Sequence, residues 1–240
     1  KPAMKTTTLS LMFVISAPVL AQDAGSDMLA GMSALRSQEH AKAEEAFTRA
    51  VTLEPQNAKT WYYRGVNRLG QEDLSGALQD FDKAIALEPE DVHSLLRRAE
   101  VRARLGAENS ATADLLRILT IQPNGPAAEH ALLHLGHFAM AKNDLVGAKS
   151  CYDRLILIAP QNAFGWCDRG IVLAAMHQDD DAIVDLDRAI ELDPTLDQAY
   201  VHKAIILFRM DRKQDGCEAL HQAHDLGDHS VEEMMVVYCD

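Results

Sequence analysis

The chain has 240 residues, of which 48% are hydrophobic and 25% charged, and its formal net charge is -13 at pH 7. This length and composition allow an ordered core, and a sequence rich in Ala and Leu with only 5% aromatic residues favours helices. The acidic residues are spread along the chain without a Lys/Arg stripe. Nucleic acid is therefore not an expected partner.

The first segment differs from the rest. Residues 6–20 form an uncharged run that is too short for a membrane span and ends in small residues. This pattern predicts a signal peptide over 1–21, cleaved after Ala21, with 1–3 a remnant ahead of the initiator Met4. We expect an exported protein without a membrane span, in a bacterial periplasm. A buried or amphipathic first helix over 6–20 is the alternative.

A repeat of 34 residues organises the remainder. Pro55, Pro89 and Pro123 are 34 residues apart, as are Pro160 and Pro194, and three extra residues separate the two sets. The repeat units are 24–57, 58–91, 92–125, 129–162, 163–196 and 197–230. Each proline is expected to end the second helix of its unit, because proline lacks the amide donor that would continue a helix.

Columns of small and large residues recur in this register. The first small column is Gly31, Gly65, Ala99, Gly136, Gly170 and Ala204, and the second is Ala43, Ala77, Ala111, Ala148, Ala182 and Gly216. The large column is Phe47, Phe81, Leu115, Tyr152, Leu186 and Leu220. Small residues on facing sides of two antiparallel helices let the backbones approach closely, so each unit is predicted to be a helical hairpin.

The residues of unit two that carry the pattern are Trp61, Gly65, Ala77, Phe81, Ala84 and Pro89, and unit five repeats it. In this order of Trp, small residue, Ala, aromatic, Ala and Pro, the segment 24–230 resembles the tetratricopeptide repeat family. The resemblance implies an all-α, right-handed superhelical solenoid of about six helix-turn-helix repeats. Gly227 is expected to end the last repeat helix. Residues 231–240 should form a capping helix, with a dimer surface as the alternative.

The resemblance also implies that the first helix of each unit lines a concave groove for a protein or peptide partner. The predicted groove contains Met28, Met32, Tyr62, Val66, Leu96, Glu100, Leu133, His137, Cys167, Ile171, Val201 and Ile205. Its edge contains Lys59, His93, His130, Phe164 and Gln198, and residues expected nearby are Tyr63, Arg97, His134, Asp168 and His202. Such a largely apolar groove suits an extended or helical peptide better than a small charged metabolite. The alternative for each residue is packing between repeats.

The repeats leave no room for a separate catalytic domain. The sequence has no Gly-rich phosphate loop, nucleophile elbow or His-Glu-x-x-His motif. We expect neither an enzyme nor a cofactor. The predicted function is an exported scaffold or adaptor in cell-envelope assembly or quality control. A cytosolic co-chaperone is an alternative that requires the signal peptide prediction to be wrong, and the Lys/Asn/Arg clamp that some family members use is absent.

Three histidines, His130, His134 and His137, lie four and three residues apart and so share one helix face. Together with Glu100 they raise the alternative function of a periplasmic metal-binding protein. Solvated or groove-lining histidines are the competing interpretation.

Four cysteines allow three disulfide connectivities in an oxidising compartment. Placement about helix turns favours Cys151–Cys167 and Cys217–Cys239. Buried free thiols are the alternative. Neither the oligomeric state nor the identity of the partner follows from the sequence.

Overall fold

The computed structural model describes residues 23–239, so the predicted signal peptide at 1–21 lies outside the described residues. The described chain is helical throughout, without a strand. Twelve helices form six hairpins: α1 (Ala24–Arg36), α2 (His40–Leu53), α3 (Ala58–Gly70), α4 (Leu74–Leu87), α5 (Val92–Arg104), α6 (Glu108–Ile121), α7 (Pro126–Ala141), α8 (Leu145–Ile158), α9 (Ala163–Ala175), α10 (Asp179–Leu192), α11 (Asp197–Arg209) and α12 (Lys213–Asp225). The prediction of an all-α repeat solenoid is confirmed.

Helix boundaries follow from local chemistry. Pro55 lies two residues beyond the end of α2, and the later repeat prolines hold the same place after α4, α6, α8 and α10. Asn57 and Asn162 then accept hydrogen bonds from the backbone amides of Lys59 and Gly165, and so cap the amino ends of α3 and α9. A Pro-x-Asn sequence thus ends one unit and starts the next.

The three-residue insert lengthens a helix instead of a loop. Helix α7 begins at Pro126, three residues before the repeat register predicts, and is 16 residues long where the other first helices have 13. Gly125 precedes it with φ 93°, a conformation that favours glycine. Proline at the first helical position has no amide to leave unsatisfied.

The hairpins stack in chain order, and each helix packs against its neighbours in sequence. First helices of adjacent units also touch one another, α1 with α3, α3 with α5, α5 with α7 and α9 with α11. Within residues 23–239, no pair of neighbouring second helices makes a contact of comparable extent. The first helices therefore form the more crowded layer, as expected for the inner side of a curved solenoid.

Each hairpin closes on a small residue that faces a large one. A Cβ added to Gly136 would lie 2.5 Å from the ring of Tyr152, and one on Gly31 would lie 2.5 Å from the ring of Phe47. Both rings are buried. Glycine is thus needed wherever the partner across the hairpin is aromatic, because any side chain would occupy the space of the ring.

Buried ion pairs also join the two helices of a hairpin in units two, three and five. Asp80, 1% exposed, accepts hydrogen bonds from Nε and Nη2 of Arg64 at 2.9 and 2.7 Å, and Nη1 of Arg68 lies 3.0 Å from it. Arg98 with Asp114 repeats this arrangement sixteen residues apart. Arg169 and Asp185 do so in unit five.

The arginines also bind the preceding unit. Arg98 donates to Asp82 at 2.7 Å, across the boundary between units two and three. The guanidinium of Arg64 lies 4.9 Å from the centre of the Trp61 ring, and Trp61 donates from Nε1 to the carbonyl of Pro55 at 2.9 Å. A stacked tryptophan and a shared arginine therefore tie successive hairpins together.

The last repeat is covered by a short cap. A 3-10 helix (His229–Val231) leads into α13 (Glu232–Tyr238), and Val231 is buried against α11 and α12. Gly227, with φ 103°, ends the preceding helix as predicted. A disulfide joins Cys217 to Cys239, and it fastens α12 to the end of the cap.

The other predicted disulfide, Cys151–Cys167, is absent, and both residues are free thiols. Placement about a turn fixes the height of two residues along their helices but not the direction of their side chains. Cys167 is 1% exposed and belongs to the core that α9 shares with α10. Burial, assisted by the Asp168 charge, raises its pKa to about 12, so this thiol is unreactive at neutral pH.

Among residues 23–239, no helix has the length and apolar character needed to cross a lipid bilayer.

Candidate functional site

The first helices bring most of the predicted groove residues onto one layer. Met32, Tyr62, Val66, Leu96, Glu100, Leu133, His134 and Ile171 are half-buried, and His93, Arg97, His130 and His137 are exposed. Cys167 is the exception: it points into the core and cannot line a groove, which corrects its assignment. Its column was chosen by register alone, whereas the direction of the side chain depends on how α9 packs against α10.

One side of each half-buried apolar residue packs against the hydrophobic core. Tyr62 and Val66 pack against the core of unit two, and Leu133 packs against that of unit four. Leu96 and Ile171 do the same in units three and five. Their remaining surface lies on the layer of first helices.

A cavity of about 410 Å³ opens on the first three units. Its lining residues are Met28, Ala58, Lys59, Tyr62, Tyr63, Glu88, Asp91 and His93. The rings of Tyr62 and Tyr63 meet edge to face at 5.2 Å, so the cavity has a rigid aromatic wall. Lys59, Glu88, Asp91 and His93 add polar and charged groups to the lining, so the cavity combines aromatic and polar surface.

The sequence pattern did not point to Ala58 or to two charged lining residues, Glu88 and Asp91. Both charged residues lie outside the first helices, at the junction between α4 and α5. Asp91 caps α5 by accepting hydrogen bonds from the amides of His93 and Ser94. The signal was available, because Pro-x-Asp marks this junction and helix caps end at the mouth of such a groove.

A polar row continues across the later units. Arg97 donates to Glu100 at 2.9 Å, and Nε2 of His137 lies 2.8 Å from a carboxylate oxygen of Asp168 on the next unit. The hydrogen bond that His137 donates to the Asp168 carboxylate raises the pKa of His137 above its usual value, against the effect of burial. Burial lowers the pKa of His134, and the charges of His137 and His130 lower it further.

The pKa values of these two histidines should be shifted in opposite directions from the ordinary histidine value of about 6.5. In an NMR titration of the ring protons we expect a pKa above that value for His137 and below it for His134. Asp168→Asn should lower the pKa of His137 by removing the carboxylate. If the substitution leaves that pKa unchanged, the contact between units four and five is wrong.

The sign of the stability effect follows from the direction of each shift. The contribution of the contact between His137 and Asp168 is fully present below about pH 6.5 and is lost as the pH rises through the folded-state pKa. The contribution of neutral His134 is present above about pH 6.5 and is lost as the pH falls through its lowered pKa.

The predicted metal cluster of His130, His134 and His137 does not assemble. His137 is engaged with Asp168, and its ring centre lies 6.5 Å from that of His134. In the part of the chain that the structure describes, only His224, His229 and Glu232 bring three metal-ligating atoms within 4.8 Å of one another. Side chains three and four residues apart on one helix share a face, but their imidazoles need not converge on one point.

The model of the tetratricopeptide repeat family matches residues 28–66 and 64–126. The structure of a Pseudomonas aeruginosa protein, pilF, superimposes with a TM-score of 0.76 over 90% of this chain and 97% of its own, at 13% identity. Residues 28–126 therefore match tetratricopeptide repeats (TPR), and the described chain has the TPR fold. Similarity at this level of identity establishes the TPR fold for this chain but not a role shared with pilF.

Two more proteins are similar to this chain. The structure of YrrB, described as a TPR protein with an unusual peptide-binding site, matches with a TM-score of 0.63 and 19% identity over 79% of this chain and 96% of its own. "Protein STIP1 homolog" of Dictyostelium discoideum is 29% identical over 80 residues, which are 33% of this chain and 14% of that protein. The match thus spans about a seventh of this curated relative.

Proteins with the TPR fold are typically non-catalytic scaffolds.

Proposed function

We propose that the chain is an exported TPR adaptor that binds a peptide segment of a partner protein along its first helices. The observation that carries the proposal is the cavity on the first three units, whose lining combines the aromatic pair Tyr62 and Tyr63 with polar groups. Its setting is the bacterial cell envelope, where it serves assembly or quality control of protein complexes.

The chemistry of this surface suits a peptide. Rigid aromatic side chains bury large area at low entropic cost and act as anchors for a partner's apolar residues. Lys59 and Asp91 offer a donor and an acceptor beside them, which can orient the partner's backbone or its polar side chains. YrrB, a protein of the same fold, is described as having a peptide-binding site, which supports the proposal.

The test is a cross-linking pull-down of the tagged full-length protein from its native cell envelope. Tyr62→Glu and Leu133→Glu each place a charge on the apolar part of the first-helix layer, and desolvating an unpaired charge is costly. We expect the specific captures of the wild type to fall at least tenfold in these variants, a loss of about 1.4 kcal/mol or more in binding free energy. Circular dichroism should still show the helical signal of the wild type.

Leu116→Glu and Leu157→Glu are matched controls. They make the same change on the second helices α6 and α8, where both leucines are exposed. These controls should capture the partner as well as the wild type does. Captures that are empty, or identical in the wild type and in the two first-helix variants, would refute groove binding and leave those residues as packing between repeats.

Export has a separate test. Sequencing the amino terminus of the protein isolated from its cells should give Gln22 as the first residue, because cleavage is expected after Ala21. A cellular protein that still begins at Met4 would overturn export and favour the cytosolic co-chaperone alternative.

A further inference from the structure

Three metal-ligating side chains meet where the last repeat turns into its cap. His224 is in the last turn of α12, His229 begins the 3-10 helix, and Glu232 is the first residue of α13. One oxygen of Glu232, Oε1, lies 3.3 Å from Nδ1 of His229 and 3.6 Å from Nε2 of His224. The two imidazole rings lie 5.1 Å apart, nearly perpendicular to each other.

These separations match those around a tetrahedral ion. Ligand atoms at about 2.0–2.1 Å from a zinc ion lie about 3.3–3.4 Å from each other when the geometry is tetrahedral. Both measured separations from the Glu232 oxygen are close to that value. A separation of 3.6 Å is too long for a hydrogen bond between Glu232 and His224, and it is an ionic contact only when His224 is protonated.

Two of the three side chains, His224 and Glu232, border a cavity that leaves room for a fourth ligand. A cavity of about 350 Å³ is lined here by His221, His224, Glu232, Met235, Val236 and Cys239. His221 lies one turn before His224 on α12 and offers another imidazole on the same cavity. Two imidazoles and a carboxylate are a ligand set that zinc takes in proteins, with water or a fourth side chain completing it.

We propose that His224, His229 and Glu232 form a zinc site that fastens the C-terminal cap to the last repeat. The ligands come from three successive elements, α12, the 3-10 helix and α13, so one ion would fix their relative positions. The disulfide between Cys217 and Cys239 ties the far end of α13 to the same helix. The cap is thus held at its start by the ion and at its end by the disulfide.

The experiment is a calorimetric titration of zinc chloride into the full chain, carrying no polyhistidine tag and freed of metal with a chelator. We expect binding of one ion per chain in the wild type. His229→Ala and Glu232→Gln should each weaken it at least tenfold, since each removes a ligand. Both residues are exposed, so the variants should fold, and circular dichroism verifies this.

His130→Ala is the matched control, because it removes a histidine from the cluster on α7 and should leave zinc affinity unchanged. Zinc should also raise the melting temperature of the wild type but not of His229→Ala. The proposal is overturned if the wild type takes up no stoichiometric zinc. It is equally overturned if His229→Ala binds zinc as tightly as the wild type, or if the loss appears in His130→Ala instead.

Discussion

Replacing Asp80 by alanine is expected to lower the free energy of unfolding by about 3–5 kcal/mol. Asp80, on α4, is 1% exposed and accepts hydrogen bonds from Arg64 on α3. Arg68, also on α3, lies 3.0 Å from the same carboxylate. Removing the carboxylate leaves the guanidinium of Arg64, whose side chain is only 11% exposed, without its partner inside the hairpin. A buried charge that has lost its partner is more costly than a lost surface contact.

Asp82→Ala is the matched control for this prediction, two residues away on the same helix. Asp82 also binds an arginine, Arg98, at 2.7 Å, but its side chain is 49% exposed. Water replaces a lost surface ion pair, so the expected loss is under about 1 kcal/mol. Urea unfolding followed by circular dichroism compares the two variants, and equal losses would show that burial of Asp80 does not decide the outcome.

Gly136→Ala is expected to destabilise the chain by about 1–3 kcal/mol, even though alanine is the better helix former. The added methyl group would lie 2.5 Å from the ring of Tyr152, which is only 1% exposed. The ring or the backbone of α7 must shift to relieve the overlap.

The double variant Gly136→Ala/Tyr152→Leu is the matched control. Unit three of this chain pairs Ala99 with Leu115 at the same two columns, and both residues are buried there. With leucine opposite, the methyl group should be tolerated, so the double variant should lose less stability than the sum of the two single changes. Additive losses in urea unfolding would show that the clash across this hairpin is not what excludes a side chain at position 136.

The sequence was sufficient for the repeat architecture, because each unit carries its own boundaries. Pro55 and its counterparts end helices through the chemistry of a single residue, and Asn57 starts the next helix through its side chain. A glycine that packs closely can be recognised from the sequence by the large residue sixteen positions later, in the column of large residues. These signals are local and repeat every 34 residues, so each unit supports the interpretation of the others.

Side-chain direction was harder to predict. The register placed Cys167 in the groove and opposite Cys151, but packing of α9 against α10 turns it into the core. The same limitation applies to His137, which pairs with Asp168 on the next unit instead of with its neighbours on α7. Contacts between units depend on the stacking geometry, which sequence spacing along one helix does not specify.

The buried ion pairs could have been predicted from the sequence but were not. Arg64 with Asp80, and its equivalents in units three and five, recur sixteen residues apart. A comparison restricted to small and large apolar columns does not detect a charged column, although both are periodic. The zinc site proposed at the cap differs in kind, since its three ligands come from three successive elements, of which only α12 belongs to a repeat hairpin.

The central claim is that the first helices, and not the second, contact the partner. Site-specific photo-cross-linking in the native envelope tests it most directly, with a photoreactive residue placed singly at Val66 and Ile171 on first helices and at Leu116 and Leu157 on second helices. The account predicts cross-linked partner from the two first-helix positions and none above background from the other two. Cross-links of equal yield from all four positions, or from the second helices alone, would contradict it.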